Sequence, residues 1–133
     1  MDVCFELQGK GFSVNAAYYA TRKIKTQACR DWETDKLHQL DEVKDLVDLT
    51  DTWREQGGSF EVHLVHEYPY HVFYNKQGLI SSKTFDCSNV EKLLIDLIFG
   101  RTMGVDDKNI TKLISEKRVG AQHCIKVKIQ LIR

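Results

Sequence analysis

Residues 86–107, DCSNVEKLLIDLIFGRTMGVDD, decide how the chain folds. Val90, Leu93, Leu94, Leu97 and Ile98 recur at three- and four-residue intervals, so residues 88–99 read as an amphipathic helix with one side on a core. Ser88-x-x-Glu91 has the form of a capping box at its start, and Gly100 suits its terminating position. Asp86 stands immediately before this helix, and Asp106 and Asp107 follow the short loop after it.

Upstream, Val3, Phe5 and Leu7 alternate with polar neighbours, which predicts a first strand ending at Gly9 and Gly11. From about Thr26 to Leu49, Leu37, Leu40, Val43, Leu46, Val47 and Leu49 punctuate a charged stretch with helical spacing, giving one amphipathic helix or two. After Gly57-Gly58, the alternation of Phe60, Val62 and Leu64, and then of Val72 and Tyr74, predicts two strands with a break near Pro69. Downstream, Ile110, Lys112 and Ile114 alternate, Gly120 marks a turn, and Ile125, Val127, Ile129 and Leu131 alternate again, which predicts a closing hairpin. The expected fold is α/β or α+β: one domain over residues 1–133, with a mixed, largely antiparallel sheet and two main helices.

Length and composition agree with a single core, since 133 residues with 42% hydrophobic content are too few for two comfortable domains. No run of eighteen apolar residues occurs and the first ten residues carry acids, so the expectation is a cytoplasmic protein with neither membrane span nor signal peptide. Cys4, Cys29, Cys87 and Cys124 lie far apart without a C-x-x-C spacing and read as reduced thiols. Lys+Arg and Asp+Glu balance at 19 each, which argues against a purely electrostatic nucleic-acid binder. The negative excess, ten acids against three bases, is confined to residues 31–61, and the flanking regions are net basic. A basic surface and a solvated acidic helix on a neutral protein are both compatible with this distribution.

The acids carry the chemistry. A helix of twelve residues is about 18 Å long, and the eight steps from Phe99 to Asp107 reach about 26 Å when extended. The returning chain is therefore expected to bring Asp107 alongside Asp86, where close carboxylates repel and a hard divalent cation relieves them. Taken alone the signal is weak, because aspartates are also common as helix caps and in turns. His63 and His66, three apart in a strand, face opposite sides and do not suit a shared zinc. Trp32 and Trp53 read as core or interface residues.

The run Asp86-Cys87-Ser88-Asn89-Val90-Glu91-Lys92, then Asp96, then Asp106-Asp107, resembles the signature of the RusA-type Holliday junction resolvases. In that family an Asp-x-Asp-Asn-x-x-Lys run opens a helix, an Asp recurs one turn later, and an Asp-Asp pair follows at this spacing. Ser13-Val14-Asn15-Ala16-Ala17-Tyr18-Tyr19 is similar to the family's Ser-Asn-Asn-x-Tyr-Tyr segment. One departure stands out: the second acid of the Asp-x-Asp motif falls on Ser88.

The resemblance implies a homodimeric endodeoxyribonuclease that nicks four-way or related branched DNA using Mg²⁺ or Mn²⁺. It implies catalytic roles for Asp86, Asp107 and Lys92, and metal contacts from Asp86, Asp106, Asp107 and, weakly, Ser88. It places DNA contacts on Asn15, Tyr18, Tyr19, Arg22, Lys23, Lys25, Lys83 and Asn89. Simpler roles stand beside these: Lys92 as an i,i+4 partner of Asp96, the tyrosines packed on the sheet, Asn15 in a turn. Because Ser88 supplies no negative ligand, the alternative function is a catalytically weakened or inactive module that binds branched DNA or a protein.

Overall fold

The computed structural model describes residues 1–19 and 23–133. Its elements are β1 (Asp2–Gln8), α1 (Gln27–Asp41), α2 (Asp45–Gln56), β2 (Ser59–Tyr68), α3 (Tyr70–Phe73), α4 (Cys87–Ile95), β3 (Ile110–Val119) and β4 (Cys124–Ile132). The four strands form one mixed sheet in the order β1-β4-β2-β3, with β1/β4 and β4/β2 antiparallel and β2/β3 parallel. This is an α+β domain, as the strand and helix periodicities predict.

Alternation divides the sheet into two faces. Val3 and Leu7 of β1, Ile125, Val127 and Ile129 of β4, and Phe60, Val62 and Leu64 of β2 are buried with α2 and α4 residues in one core. Phe60 sits edge-on to Phe99 with ring centroids 5.4 Å apart, joining sheet to helix layer. Burial of each such side chain contributes about 1.5–3 kcal/mol. The other face carries Glu6, Glu61, His63, Lys126 and Lys128 and stays at least partly open to water.

Thr26 caps α1 by accepting from the Cys29 amide at 3.2 Å, and the chain turns again at Glu42, so the long charged stretch is two helices. Both tryptophans are only partly exposed and bonded inward: Trp32 Nε1 donates to the Lys10 carbonyl at 2.8 Å and Trp53 Nε1 to the Gly58 carbonyl at 3.0 Å.

The structure corrects four local expectations. The strand expected around Val72 and Tyr74 is instead the short helix α3, because β2 runs unbroken to Tyr68 and Pro69 begins a helical turn closed by Phe73 N–H on the Pro69 carbonyl at 2.9 Å. Ser88 does not cap α4: the helix opens two residues earlier, at Asp86, whose carbonyl accepts from Asn89 N–H at 3.0 Å, and Ser88 lies inside it, exposed. Gly100 does not end the helix, which widens into a π-helical continuation over Asp96–Met103 and stops at Gly104, φ 68°. Leu97, Ile98, Phe99 and Met103 of that continuation are buried, so core burial carries the helix past the glycine.

The closing hairpin is the fourth correction, since β2 lies between β3 and β4. Burial ranks the strands. β4 buries Ile125, Val127, Ile129 and Leu131 and takes a central place, whereas β3 holds Lys112, Lys117 and Arg118 and takes the edge, where charged side chains reach water. The connection from β2 through α4 is the crossover that parallel strands require.

Candidate metal and DNA interface

Asp86 is the N-cap residue of α4 and is exposed, with its side chain making no capping bond. Behind it, Lys117 of β3 donates through Nζ to the Thr84 hydroxyl at 3.0 Å and to the Phe85 carbonyl at 3.3 Å. Lys10 places its ammonium 5.9 Å from the centre of the Phe85 ring. Two ammonium groups thus flank the start of α4, where the free N–H groups also favour an anion.

The N-terminal motif packs beside the same helix. Ala17 and Cys29 are buried against Leu93, with Phe12 and Trp32 around them, and Gly11 approaches Val90 so closely that a Cβ there would stand 3.1 Å from the valine Cβ. The Ser13 hydroxyl accepts from Asn15 N–H at 3.2 Å, so Asn15 sits in a capped turn with its side chain exposed. Tyr18 and Tyr19 are exposed at 41% and 51%, not packed on the sheet. Lys23 and Lys83 are exposed, and Asn89 is half-buried on α4. Lys25 is engaged with the buried Glu33 carboxylate at 2.7 Å, a hydrogen bond that raises its pKa. Arg22 lies outside the described residues.

Lys92 and Asp96 approach to 4.0 Å at i,i+4, both well exposed, a loose pair that leaves the lysine accessible. At the far end of the helix, Asp106 accepts from Lys108 N–H at 2.9 Å and opens a short 3-10 turn over Asp107–Asn109. That backbone bond, with Asp107 and Lys108 nearby, lowers the Asp106 pKa. Both aspartates of the pair are exposed.

The expected convergence of Asp86 with Asp106 and Asp107 does not occur within one chain. The helical run from Cys87 to Met103 is continuous, so its ends are about 25 Å apart. The strand gives the same answer: Lys117 touches the start of α4, Asp107 precedes Ile110, and seven residues of extended chain between Ile110 and Lys117 span about 23 Å. The extended return considered from sequence is not taken, because the helix consumes the chain up to Met103. Among the described residues no three His, Cys, Asp or Glu side chains come together in a way that holds a metal ion. Within one chain Asp86 and the Asp106–Asp107 pair are thus separate positions, each offering the one or two carboxylates beside which Mg²⁺ keeps several waters and takes phosphate oxygens.

Lys117, Lys10 and Thr84 belong to no motif read from the sequence. Only the parallel pairing of β3 with β2, with Lys117 opposite His66, brings Lys117 to α4. His66 itself is 2% exposed on the helix-facing side, with neither ring nitrogen hydrogen-bonded, and burial lowers its pKa to about 4. His63, on the opposite face, bonds Glu116 at 2.6 Å.

No protein-family model matches the chain, and no curated protein matches it. The fold defines a small α+β domain with one open sheet face, and no described helix is long and apolar enough to cross a membrane.

Proposed function

We propose that the protein is a divalent-metal-dependent endonuclease of branched DNA, as its RusA-type resemblance implies, working as a homodimer. One observation carries this reading: the two sequence stretches that resemble the family, residues 13–19 and 86–96, are more than sixty residues apart in the chain yet pack on one another around Leu93. Together they present an exposed carboxylate, Asp86, two exposed tyrosines and an exposed Asn15, with Lys117 and Lys10 at the start of α4. Ammonium groups suit DNA phosphates, and the tyrosines suit unstacked bases at a branch point. A bound divalent cation would supply Lewis acidity at the scissile phosphate and an activated water.

A second reading, a non-catalytic module that binds branched DNA or a protein, is favoured by Ser88 and by the separation of the acids within one chain. A synthetic four-way junction incubated with the protein, with and without Mg²⁺, distinguishes the two. Metal-dependent paired nicks that disappear in Asp86→Asn support the nuclease; junction binding without nicking supports the module. Failure to bind branched DNA at low salt rejects both.

A further inference from the structure

A second group of cations lies away from the start of α4, in an open cavity of about 360 Å³ between α1 and the π-helical continuation. Arg30, Glu33, Thr34 and Leu37, at i, i+3, i+4 and i+7 of α1, form one wall, and Arg101 and Lys25 complete it. The buried Glu33 carboxylate is taken by Lys25 at 2.7 Å. Among the described residues neither arginine has an ion pair, and Arg30 has only a 3.3 Å bond to the Gln27 side chain. Three cations against one carboxylate leave an excess of two positive charges, carried by two exposed guanidinium groups.

The cavity lies in line with the residues of the candidate interface. Lys25 forms an isolated β-bridge with Tyr18, and Tyr19 N–H donates to the Ile24 carbonyl at 3.2 Å, so the exposed tyrosines adjoin it. Ala17, which precedes them, packs on Leu93 midway along the helical run. Arg101 stands fifteen residues after Asp86 on that run, about 22 Å along it. Asp86, the tyrosines and the arginines therefore follow one another along a single helix.

We infer that this cavity binds a backbone phosphate of a duplex arm about six base pairs from the branch. Planar guanidinium groups present paired N–H donors that match phosphate oxygens. Successive phosphates of one strand are about 3.4 Å apart along the duplex axis, so about 22 Å corresponds to about six steps. The inference rests on the branched-DNA reading above and adds to it a length of duplex, since a shorter arm ends before the arginines. A free phosphate shares the chemistry, but the adjoining tyrosines and the alignment with Asp86 favour a polymer.

Binding of a synthetic four-way junction to the full chain, measured without Mg²⁺ over a range of salt, tests the site. Arg30→Gln and Arg101→Gln are each expected to weaken binding about fivefold to tenfold and to lower the salt slope by about one, with unchanged circular dichroism. Lys44→Gln, which removes an exposed cation outside the cavity, is expected to change neither. Phosphate-ethylation interference should mark a phosphate about six base pairs into an arm for the wild type and lose that mark in Arg101→Gln. Variants with wild-type affinity, or with an unaltered salt slope and ethylation pattern, overturn the cavity as a phosphate site; a wild type that nicks junctions beside them keeps the nuclease reading. Calorimetry with inorganic phosphate alone separates the two sources. Saturation near about 1 mM that Arg101→Gln abolishes, beside unchanged junction binding, assigns the cavity to a free phosphate and overturns the proposal. Junction binding that responds to both arginines, in a protein that does not nick with Mg²⁺, upholds the cavity and rejects the nuclease reading. A wild type that binds no branched DNA at low salt overturns both.

Discussion

Lys117 donates to the carbonyl of Phe85 at 3.3 Å, tying the edge strand β3 to the residue that precedes the N-cap of α4. Its second bond, to the Thr84 hydroxyl at 3.0 Å, holds the ammonium on the segment leading into Asp86. Hydrogen bonds from a charged donor contribute about 1.5–3 kcal/mol each, net of exchange with water. Lys117→Met is therefore expected to lower stability by about 2 kcal/mol in urea unfolding. On the proposed nuclease reading, junction cleavage falls about tenfold or more, with a shallower salt dependence of binding. A variant with wild-type stability and wild-type cutting would show that the contact positions nothing.

His66 makes the protein acid-sensitive. Its ring is buried without a partner and titrates at about 4 when folded, against an ordinary value of 6.5. The folded state binds this proton less readily than the unfolded chain, so stability is intact above pH 6.5 and falls as the pH drops toward 4. The full loss from this one group is about 3 kcal/mol. Urea midpoints measured between pH 7 and pH 4 should decline, and His66→Leu should flatten the decline over that window. An unchanged slope in the variant would assign the acid sensitivity elsewhere.

Gly58 connects α2 to β2 at φ 107°, and a Cβ at this position would overlap the carbonyl oxygen of Ile132 in the neighbouring strand. Gly58→Ala meets both a backbone conformation that L residues resist and a clash with a fixed atom. The expected cost is about 2–3 kcal/mol, read as a lowered thermal midpoint. Gly78, φ 77° with open space around it, should tolerate alanine with a smaller loss.

Ser88 is exposed in the first turn of α4, two residues after Asp86, and caps nothing. Ser88→Asp places a second carboxylate on this turn, near the positive end of the helix dipole, where acids are stabilising by about 0.3–1 kcal/mol. The variant is expected to melt slightly higher and to cut junctions faster at limiting Mg²⁺. Slower cutting with unchanged junction binding would mean that the serine hydroxyl, not a missing acid, serves the site.

Short-range patterns were readable because burial leaves a local trace. Val3, Phe5 and Leu7 announce β1, and Val90, Leu93 and Leu94 announce α4, since one face of each element must meet the core. The proposed site was legible in pieces: Asp86 at a helix start, the Asp106-Asp107 pair after it, and tyrosines beside basic residues. Lys117 was not, because a lysine in a strand is unremarkable until a specific register places it. The capping box misled for a related reason. Ser88-x-x-Glu91 is a sufficient local signal, but the hydrogen bond from Asn89 to Asp86 starts the helix two residues earlier.

The sequence by itself determined the main helices and strands, though not the short helix α3, together with the amphipathic stripe of α4 and the acids at its two ends, all of which depend on residues within a few turns of one another. Only the tertiary structure decided that β3 pairs with β2 rather than β4, that His66 is buried without a partner, and that Asp86 stands away from Asp106 and Asp107. These depend on which strand wins the centre of the sheet, a competition among apolar faces contributed by every strand at once. The more apolar β4 took that place and β3 was left at the edge. The parallel crossover through one uninterrupted helix then set the acids a helix length apart.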